Sequence, residues 1–314
     1  MKAATQDRAA KAAVSRLFAS SIFRELATRG SSPAFARLAR ETCLFEVPAE
    51  NGRVRDAFDT AFAALRVVGN RDEYIYKAAL THNVLLGTHS LKTASMLAEF
   101  RVGQCKADVA ILNGTSTVYE IKSERDSLDR LERQLESYKR VFARVFVIAA
   151  DKHVDAILAS TDKEVGVLSL SARQTISKLR DARERPDRIC PLTVFESIRT
   201  DEAKSILKSF EVPIPNLPNT MMRAELQPLF SRLSPVELHA ALVAVLKKTR
   251  NLLPLGKLVE DLPQSLTPAA LTVPLKASDH QRLLLALNAR LADATRWGDE
   301  RCISRTSVAS NTSC

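Results

Sequence analysis

Residues 106–149 carry the pattern that decides the fold, and they read KADVAILNGTSTVYEIKSERDSLDRLERQLESYKRVFARVFVIA. Near the start of this stretch, Asn113-Gly114 separates two short runs of apolar and β-branched residues. Asn-Gly in that position is the strongest short signal for a β-hairpin. A third run of the same character precedes Gly103, so the sequence predicts an antiparallel meander of three strands. The three runs are Leu97–Val102, Lys106–Leu112 and Thr117–Lys122.

An amphipathic helix and two further strands are predicted after the meander. Between Ser127 and about Phe142, apolar residues recur at steps of three or four, which is the stripe of a helix packed on a sheet. Arg144–Ala149 then has the composition of a buried strand, and Val165–Leu170 that of a further strand at the sheet edge. With a predicted helix over Arg71–Thr81 before the meander, this alternation predicts an α/β unit.

The rest of the chain is predicted to be helical. Only 9 of the 314 residues are Gly and 13 are Pro, whereas the helix-forming residues Ala, Leu, Lys and Arg are frequent. We therefore expect a helical N-terminal region at 1–68, an α/β core at 69–172 and a helical C-terminal region at 173–300. A Ser/Thr-rich tail at 301–314 is expected to be disordered.

Charge and composition narrow the class of protein. The chain has 46 Lys and Arg against 36 Asp and Glu, a net charge of +10 that favours a polyanionic partner, above all nucleic acid. Its apolar stretches are far shorter than the roughly 20 residues that cross a bilayer, so no transmembrane helix is expected. The five cysteines form no CxxC pair, which disfavours a zinc knuckle and a disulfide framework and fits a reducing cytoplasm. P-loop and HExxH motifs do not occur, which disfavours NTP hydrolysis and zinc hydrolysis.

Two acidic residues are predicted to face each other in the meander. A two-residue turn at Gly103-Gln104 pairs Val102 with Cys105 and therefore Glu99 with Asp108. Directly opposed carboxylates repel each other on an ordinary sheet. This pairing therefore predicts a cation between the two side chains.

The next strand adds a carboxylate and an ammonium group. Glu120 and Lys122 are two residues apart, so the alternation of a strand puts both side chains on the same face, away from Tyr119 and Ile121. If Asp108 shares that face, its carboxylate and that of Glu120 bind a hard divalent cation, while Lys122 orients a water molecule. This is a layout for metal-assisted hydrolysis of a phosphodiester bond.

These residues carry a resemblance to a known superfamily. Asp108, followed by Glu120-Ile121-Lys122, resembles the D-(x)n-ExK signature of the PD-(D/E)XK nucleases. Gln134 and Tyr138 are similar to the QxxxY element that follows ExK in the RecB-like, Cas4-like and phage-exonuclease-like branch. Residues from about 71 to 250 also resemble a little-characterised family of bacterial and prophage-associated proteins.

The resemblance implies a fold, a cofactor and residue roles. The fold would be a restriction-endonuclease-like core, a mixed sheet flanked by helices. Asp108, Glu120 and the carbonyl group of Ile121 would bind Mg²⁺ or Mn²⁺, and Lys122 would be the catalytic lysine. The QxxxY residues Gln134 and Tyr138 would support the site or contact DNA. Apart from the resemblance, Ser123, Arg125 and Asp126 just after the ExK element have the pattern of a helix entry, where the Arg125 side chain could also reach a phosphate.

One ligand of this site has two candidates. The superfamily pattern implies a further acid upstream of Asp108, and both Glu73 and Glu99 fit that description. We prefer Glu99, because the predicted register puts it opposite Asp108. Glu73 lies in the first turn of the predicted helix, where an acid also complements the helix dipole.

The sequence thus predicts a cytoplasmic, divalent-metal-dependent nuclease that cleaves DNA, in phage defence, mobile-element function or DNA repair. Two alternatives stay open. The chain could be a DNA-binding or scaffold protein that keeps the fold without catalysis, or a relative that cleaves RNA.

Overall fold

The structure is a computed structural model and describes residues 12–42 and 52–299. Two compact units divide these residues. The first unit joins the residues up to Ile75 with those from Lys257 onward, and the second unit is the continuous segment Tyr76–Gly256. These boundaries differ from the expected ones after residues 68 and 172. In the first unit, segments far apart in the chain pack together, and a change of composition along the chain does not reveal such packing.

Helices account for most of the described elements. Residues 12–17 are helical, Leu80–Leu86 forms a π-helix, and single 3₁₀ turns lie at Pro186–Arg188, Leu253–Leu255 and Gln264–Leu266. The α-helices are α1 (Ser20–Arg29), α2 (Pro33–Thr42), α3 (Val54–Arg66), α4 (Glu73–Ala79), α5 (Leu131–Lys139), α6 (Asp151–Ser160), α7 (Pro191–Ser197), α8 (Thr200–Ser209), α9 (Asn219–Phe230), α10 (Pro235–Thr249), α11 (Gly256–Asp261), α12 (Thr267–Thr272), α13 (Ala277–Asn288) and α14 (Leu291–Ala294).

The first unit is helical in its described parts and has aromatic rings in its core. α1 packs against α13, although the two helices lie near opposite ends of the chain. The ring of Phe58 contacts those of Phe18 and Phe35, with centroids 5.7 and 5.4 Å apart. Phe18 also stacks on Tyr74, with centroids 4.4 Å apart. Both ends of the chain therefore contribute to one hydrophobic core.

The second unit is built on a six-stranded mixed sheet, which confirms the predicted α/β fold with a mixed sheet flanked by helices. The strands lie in chain order across the sheet. The first three pair antiparallel, the third, fourth and fifth pair parallel, and the sixth is antiparallel to the fifth. The strands are β1 (Ser95–Val102), β2 (Cys105–Leu112), β3 (Ser116–Lys122), β4 (Arg144–Ala149), β5 (Gly166–Leu170) and β6 (Ile176–Arg180).

The last strand corrects the prediction that the chain is helical after residue 172. β6 forms the sheet edge, and β5, which was expected there, lies one strand further in. The three middle residues of β6 are exposed, so the strand does not alternate between buried and exposed positions. Its sequence therefore lacks the pattern that marks a half-buried strand. Pairing with β5, rather than a local pattern, makes this segment a strand.

Helix α5 holds the residues that follow the ExK element against the sheet. It begins at Leu131, four residues later than expected, because residues 128–130 form a bend and a turn. Its buried face consists of Leu131, Leu135 and Tyr138, which belong to the same core as Val118 on β3. The helix therefore connects β3 to the parallel strand β4 and covers the face of the sheet that carries the ExK side chains.

The helix before the meander is also modified relative to the prediction. α4 covers Glu73–Ala79, and the chain then widens into the π-helix at Leu80–Leu86.

Within residues 12–42 and 52–299, no helix combines the length and apolar character required to cross a bilayer.

Candidate active site

Glu99 and Asp108 face each other across β1 and β2. The pairs Ala98–Val109, Phe100–Ala107 and Val102–Cys105 confirm the predicted register and leave these two acids opposite each other. A carboxylate oxygen of Glu99 lies within 4.8 Å of one of Asp108. Glu99 has a left-handed backbone, with φ of 57°, and the ladder pairing is interrupted there. A residue other than Gly in this conformation is strained, and such strain is commonly found at functional sites.

Two lysines that the sequence analysis did not single out compensate the charge of Glu99. Lys77 Nζ lies 3.7 Å from Glu99 Oε1, and Lys106 forms an ion pair with Glu99 Oε2. Asp108 is held differently, because its Oδ2 accepts a hydrogen bond of 2.7 Å from the backbone N–H of Ile121. This bond ties the Asp108 carboxylate to the centre of the ExK element on β3.

Glu120 and Lys122 form a buried pair on one face of β3, as their spacing predicts. Lys122 Nζ donates a hydrogen bond of 2.9 Å to Glu120 Oε1. Their side chains are only 2% and 6% exposed, respectively. Tyr119 is on the opposite face, where its ring stacks on Phe146 with centroids 5.5 Å apart. A charged pair this well buried differs from the salt bridge of an exposed strand.

Gln134 and Tyr138 both reach this pair from α5. Lys122 Nζ donates a second hydrogen bond, of 2.9 Å, to Gln134 Oε1. The hydroxyl oxygen of Tyr138 lies 2.9 Å from Glu120 Oε2 and 2.9 Å from the carbonyl oxygen of Lys106. The predicted QxxxY residues are therefore contacts of the ExK side chains, since a spacing of four residues puts both on one face of the helix.

Burial and hydrogen bonding set the protonation behaviour of this group. Burial raises the pKa of Glu120 above its usual value, and this effect exceeds the opposing effects of Lys122, Tyr138 and Gln134. Burial also raises the pKa of Tyr138, and the neighbouring Glu120 adds to the rise. Tyr138 therefore keeps its proton. That single proton serves two acceptors, Glu120 Oε2 and the Lys106 carbonyl.

The two remaining predicted residues, Arg125 and Glu73, are both exposed. Arg125 is exposed on the turn after β3, which Asp126 holds by accepting hydrogen bonds from the N–H and hydroxyl groups of Ser123. Glu73 is the exposed first residue of α4. Its helix places it one turn before Lys77, on the same helix face.

The comparison with protein families identifies the segment that contains this site. Residues 67–253 match the family described as Bacteriophage P4 protein cII. The match covers more than half of the chain. This chain belongs to the Bacteriophage P4 protein cII family. All the site residues described above lie inside the family segment.

Two similar proteins extend this comparison. Protein cII of Enterobacteria phage P4 is 27% identical to this chain over 168 residues, which are 52% of this chain and 58% of that protein. The chain thus spans a little more than half of the length of this family member. Among solved structures, the SPO1766 protein of unknown function from Silicibacter pomeroyi is similar at 20% identity, with a TM-score of 0.27. That match covers 38% of this chain and 82% of the other.

The donor atoms in this part of the family segment fit a hard divalent cation. Two oxygen ligands of one Mg²⁺ or Ca²⁺ ion lie at most about 4–5 Å apart, given ligand distances of roughly 2.0–2.6 Å. The carboxylates of Glu99 and Asp108 meet this condition. Among the described residues, Glu120 does not join a group of three acids within the same 4.8 Å, since its oxygens lie beside Lys122 and Tyr138. The predicted set of three acids is therefore present as one close pair plus a buried neighbour.

Proposed function

We propose that this chain is a divalent-metal-dependent nuclease that hydrolyses phosphodiester bonds of DNA in the cytoplasm. One observation carries the proposal. Buried Lys122 is held between Glu120 and Gln134, on the strand whose backbone binds the carboxylate of Asp108. Acids and a lysine on one sheet thus meet two supporting polar side chains from α5, within a protein of positive net charge.

The proposed metal ligands are oxygen atoms. Asp108, Glu99 and Glu120 would hold a Mg²⁺ or Mn²⁺ ion together with the carbonyl oxygen of Ile121. Oxygen ligands of this kind suit hard cations such as Mg²⁺ and Mn²⁺. When bound, such an ion stabilises negative charge on the phosphate and lowers the pKa of a bound water molecule.

Lys122 is proposed to position the attacking water molecule. An ammonium group has three N–H donors, and Lys122 uses two of them for Glu120 and Gln134. The third donor is available to a water molecule or a phosphate oxygen. Because Glu120 and Gln134 fix the other two, the direction of the third is fixed as well, which is the kind of preorganisation that hydrolysis requires.

Glu120 is proposed to have a share in proton movement. A carboxylate whose pKa is raised by burial is a stronger base than an exposed one. Tyr138 keeps Glu120 in place and stays protonated itself. Arg125, exposed beyond the end of β3, is proposed to bind a phosphate of the same strand.

A second candidate function is a DNA-binding protein without catalysis. The observation that favours it is the pairing of the acids, because Glu120 contacts Lys122 and Glu99 contacts Lys77 and Lys106. Charges that are compensated within the protein persist without a metal. The phage relationship of the family favours a setting in phages or mobile elements for either candidate.

Cleavage assays decide between the two candidates. Linear, circular and single-stranded DNA and RNA are incubated with Mg²⁺, Mn²⁺ or EDTA, using the wild type, Asp108→Ala and Lys122→Ala. We expect metal-dependent DNA cleavage that both substitutions abolish, whereas the matched controls Asp155→Ala and Lys163→Ala, both at exposed positions, cleave like the wild type. DNA binding without cleavage would establish the second candidate. Cleavage that survives both site substitutions would refute the proposed site.

A further inference from the structure

A groove lined by lysines lies away from the candidate active site. It has a volume of about 570 Å³, and its walls include Lys92, Lys247 and Lys248 together with Asn251. Val243 and Leu253 contribute apolar surface. We call this feature the lysine groove. All of its residues belong to the second unit, and they come from the segment before β1, the β2–β3 turn and the end of α10.

The lysine groove has an uncompensated positive charge. Three of its lining residues are basic and none is acidic. Other lysines of the second unit have acidic neighbours, as shown by Lys139 with Glu136 and Lys178 with Asp181. Among the described residues, the three lysines of the groove form no ion pair. Like charges that are gathered without a counter-charge repel each other, so the groove is a site for an anion.

The helix terminus explains only part of this arrangement. Lys247 and Lys248 lie in the last turn of α10, where basic side chains favourably oppose the negative end of the helix dipole. Lys92 comes from a different segment, more than 150 residues earlier in the chain, and no helix ends there. The helix dipole therefore explains two of the three lysines, and the fold brings the third, Lys92, into the same groove.

We propose that the lysine groove binds phosphate groups of a nucleic-acid backbone, as a second contact for the strand that the active site cleaves. The identity of the strand as a substrate rests on the proposed function, but the binding itself does not. Lysine ammonium groups bind phosphates as point charges and without regard to sequence. The groove thus supplies affinity and position, whereas cleavage belongs to the acids and Lys122.

Strand β3 sets the distance between the lysine groove and the candidate active site. Gly114, in the β2–β3 turn, lines the groove, while Glu120 and Lys122 lie at the far end of β3. The seven residues of β3 span about 20 Å at roughly 3.3 Å per residue. Since successive base pairs rise by about 3.4 Å, the groove would contact phosphates about six base pairs from the cleaved bond.

The alternative occupant is an acidic protein segment. Such a segment would use the charge of the groove and also its apolar surface at Val243 and Leu253. The net charge of +10 favours nucleic acid, because it extends the attraction for a long polyanion beyond the three lysines. The acidic segment is retained as an outcome of the test.

Binding measured without catalysis tests the proposal separately from the nuclease. The full chain carries Asp108→Ala, EDTA is present, and fluorescence anisotropy follows a labelled 30-base-pair duplex over a series of salt concentrations. The test variant adds Lys92→Gln, Lys247→Gln and Lys248→Gln. The matched control adds Lys152→Gln, Lys163→Gln and Lys208→Gln, three exposed lysines outside the groove with the same total change in charge. Circular dichroism verifies that all the proteins are folded.

The groove variant is expected to bind on the order of tenfold more weakly than its parent, with the slope of log K against log salt reduced by about 0.9 for each lysine removed, roughly 2.7 in total. The control variant keeps most of the parent's slope and affinity.

Equal losses in the groove variant and the control would overturn the proposal, since they would report net charge alone. Unchanged binding of DNA by the groove variant would also overturn it. If poly-glutamate, used as a second probe, then binds the parent but not this variant, the groove is a site for an acidic protein partner. A failure of the nuclease proposal would look different. Asp108→Ala would then leave cleavage intact or there would be none to lose, and the binding series would be unaffected.

Discussion

Two buried glutamates in the second unit have the same exposure and opposite electrostatic character. The side chains of Glu120 and Glu202 are each 2% exposed. Glu202 accepts hydrogen bonds from Arg250 Nε and Nη2 at 2.8 and 2.9 Å, from Thr249 Oγ1 at 3.0 Å and from the backbone N–H of Arg199 at 2.8 Å. Glu120 accepts hydrogen bonds from Lys122 Nζ and from the Tyr138 hydroxyl, which also has a second acceptor, and the neutral Gln134 amide is its third polar neighbour.

The number and kind of donors explain why the two pKa values move in opposite directions. Burial by itself raises the pKa of Glu202, but the hydrogen bonds from Arg250 and Arg199 outweigh it and leave the pKa lowered. Burial raises the pKa of Glu120, and a single ammonium group with a shared hydroxyl does not reverse this. A guanidinium fork satisfies a carboxylate fully. Glu202 is therefore built to stabilise the fold, whereas Glu120 keeps binding capacity for a ligand or a proton.

Glu120→Gln should have the largest effect and should act on activity. We expect cleavage to fall by about 10³-fold or more, since a neutral amide binds a divalent cation more weakly than a carboxylate and does not act as a base. The free energy of unfolding should change by less than about 1 kcal/mol, because burial already disfavours the ionised form. Initial cleavage rates and urea unfolding curves measure the two effects. A large loss of stability would show that Glu120 has the same role as Glu202.

Glu202→Gln should show the reverse. Removing the charge leaves Arg250 partly unpaired inside the protein, which costs about 3–5 kcal/mol of unfolding free energy. The cleavage rate per folded molecule should stay within about twofold of the wild type. Far-UV circular dichroism follows the whole chain, and the fluorescence of the single tryptophan, Trp297, reports the first unit. If activity fell as steeply as for Glu120→Gln, the contrast between the two glutamates would be wrong.

Tyr138→Phe tests whether α5 contributes to the difference between Glu120 and Glu202. The substitution removes the hydroxyl group that contacts both Glu120 and the Lys106 carbonyl, at a cost of about 1–3 kcal/mol in unfolding free energy. Cleavage should fall by roughly 10- to 100-fold through the loss of positioning. Leu135→Val, on the same buried face of α5, is the control for packing. An equal loss of activity in that control would assign Tyr138 to the core alone.

Glu99 extends the comparison to an acid that is half exposed and whose backbone is strained, and Glu99→Gly tests the effect of that strain. Glycine adopts a φ of 57° freely, so this variant should be about 1 kcal/mol more stable than Glu99→Gln, which keeps the strained backbone. Both variants should require higher Mg²⁺ concentrations for half-maximal cleavage. Metal titrations and thermal unfolding measure these effects. Equal stability of the two variants would mean that the backbone at Glu99 is relaxed.

Among the described residues, His239 is buried without a charged side chain in contact, and its substitution should have the smallest effect on stability. Its Nε2 accepts a hydrogen bond from the N–H of Ser116, and burial lowers its pKa. The unfolded chain therefore takes up a proton near pH 6.5 while the folded chain does not, so stability is full above that pH and falls as the pH decreases below it. In His239→Gln, the unfolding midpoint should depend less on pH between 7 and 5. An unchanged pH profile would contradict this assignment.

The meander could be predicted because its signals are local. Asn113-Gly114 marks one turn, and Gly103, which adopts a φ of 56°, marks the other. Counting residues outward from the turn at Gly103 pairs β1 with β2 and places Glu99 opposite Asp108. The alternation of side chains in β3 then placed Glu120 and Lys122 together. In each case the deciding interaction lies within a few residues of the motif.

The remaining features depend on contacts that are distant in the sequence. Lys77 and Lys106 meet Glu99 through the packing of the fold, and no motif marks them. β6 is a strand because β5 lies beside it, and its own exposed residues give no periodic pattern. The four donors around Glu202 come from two segments almost 50 residues apart. Local propensity contains no information about such partners.

The division into a continuous and a discontinuous unit has a consequence for the synthesis of the chain. The second unit, Tyr76–Gly256, is complete once its own residues have left the ribosome. The first unit needs residues from Lys257 onward, so α1 meets α13 only after the whole intervening segment has been translated. At about 5–20 residues per second, that delay is on the order of ten to fifty seconds. During this interval the apolar face of α1, with Phe23 and Leu26, is exposed to chaperones, and the unit that carries the candidate active site is the first to fold.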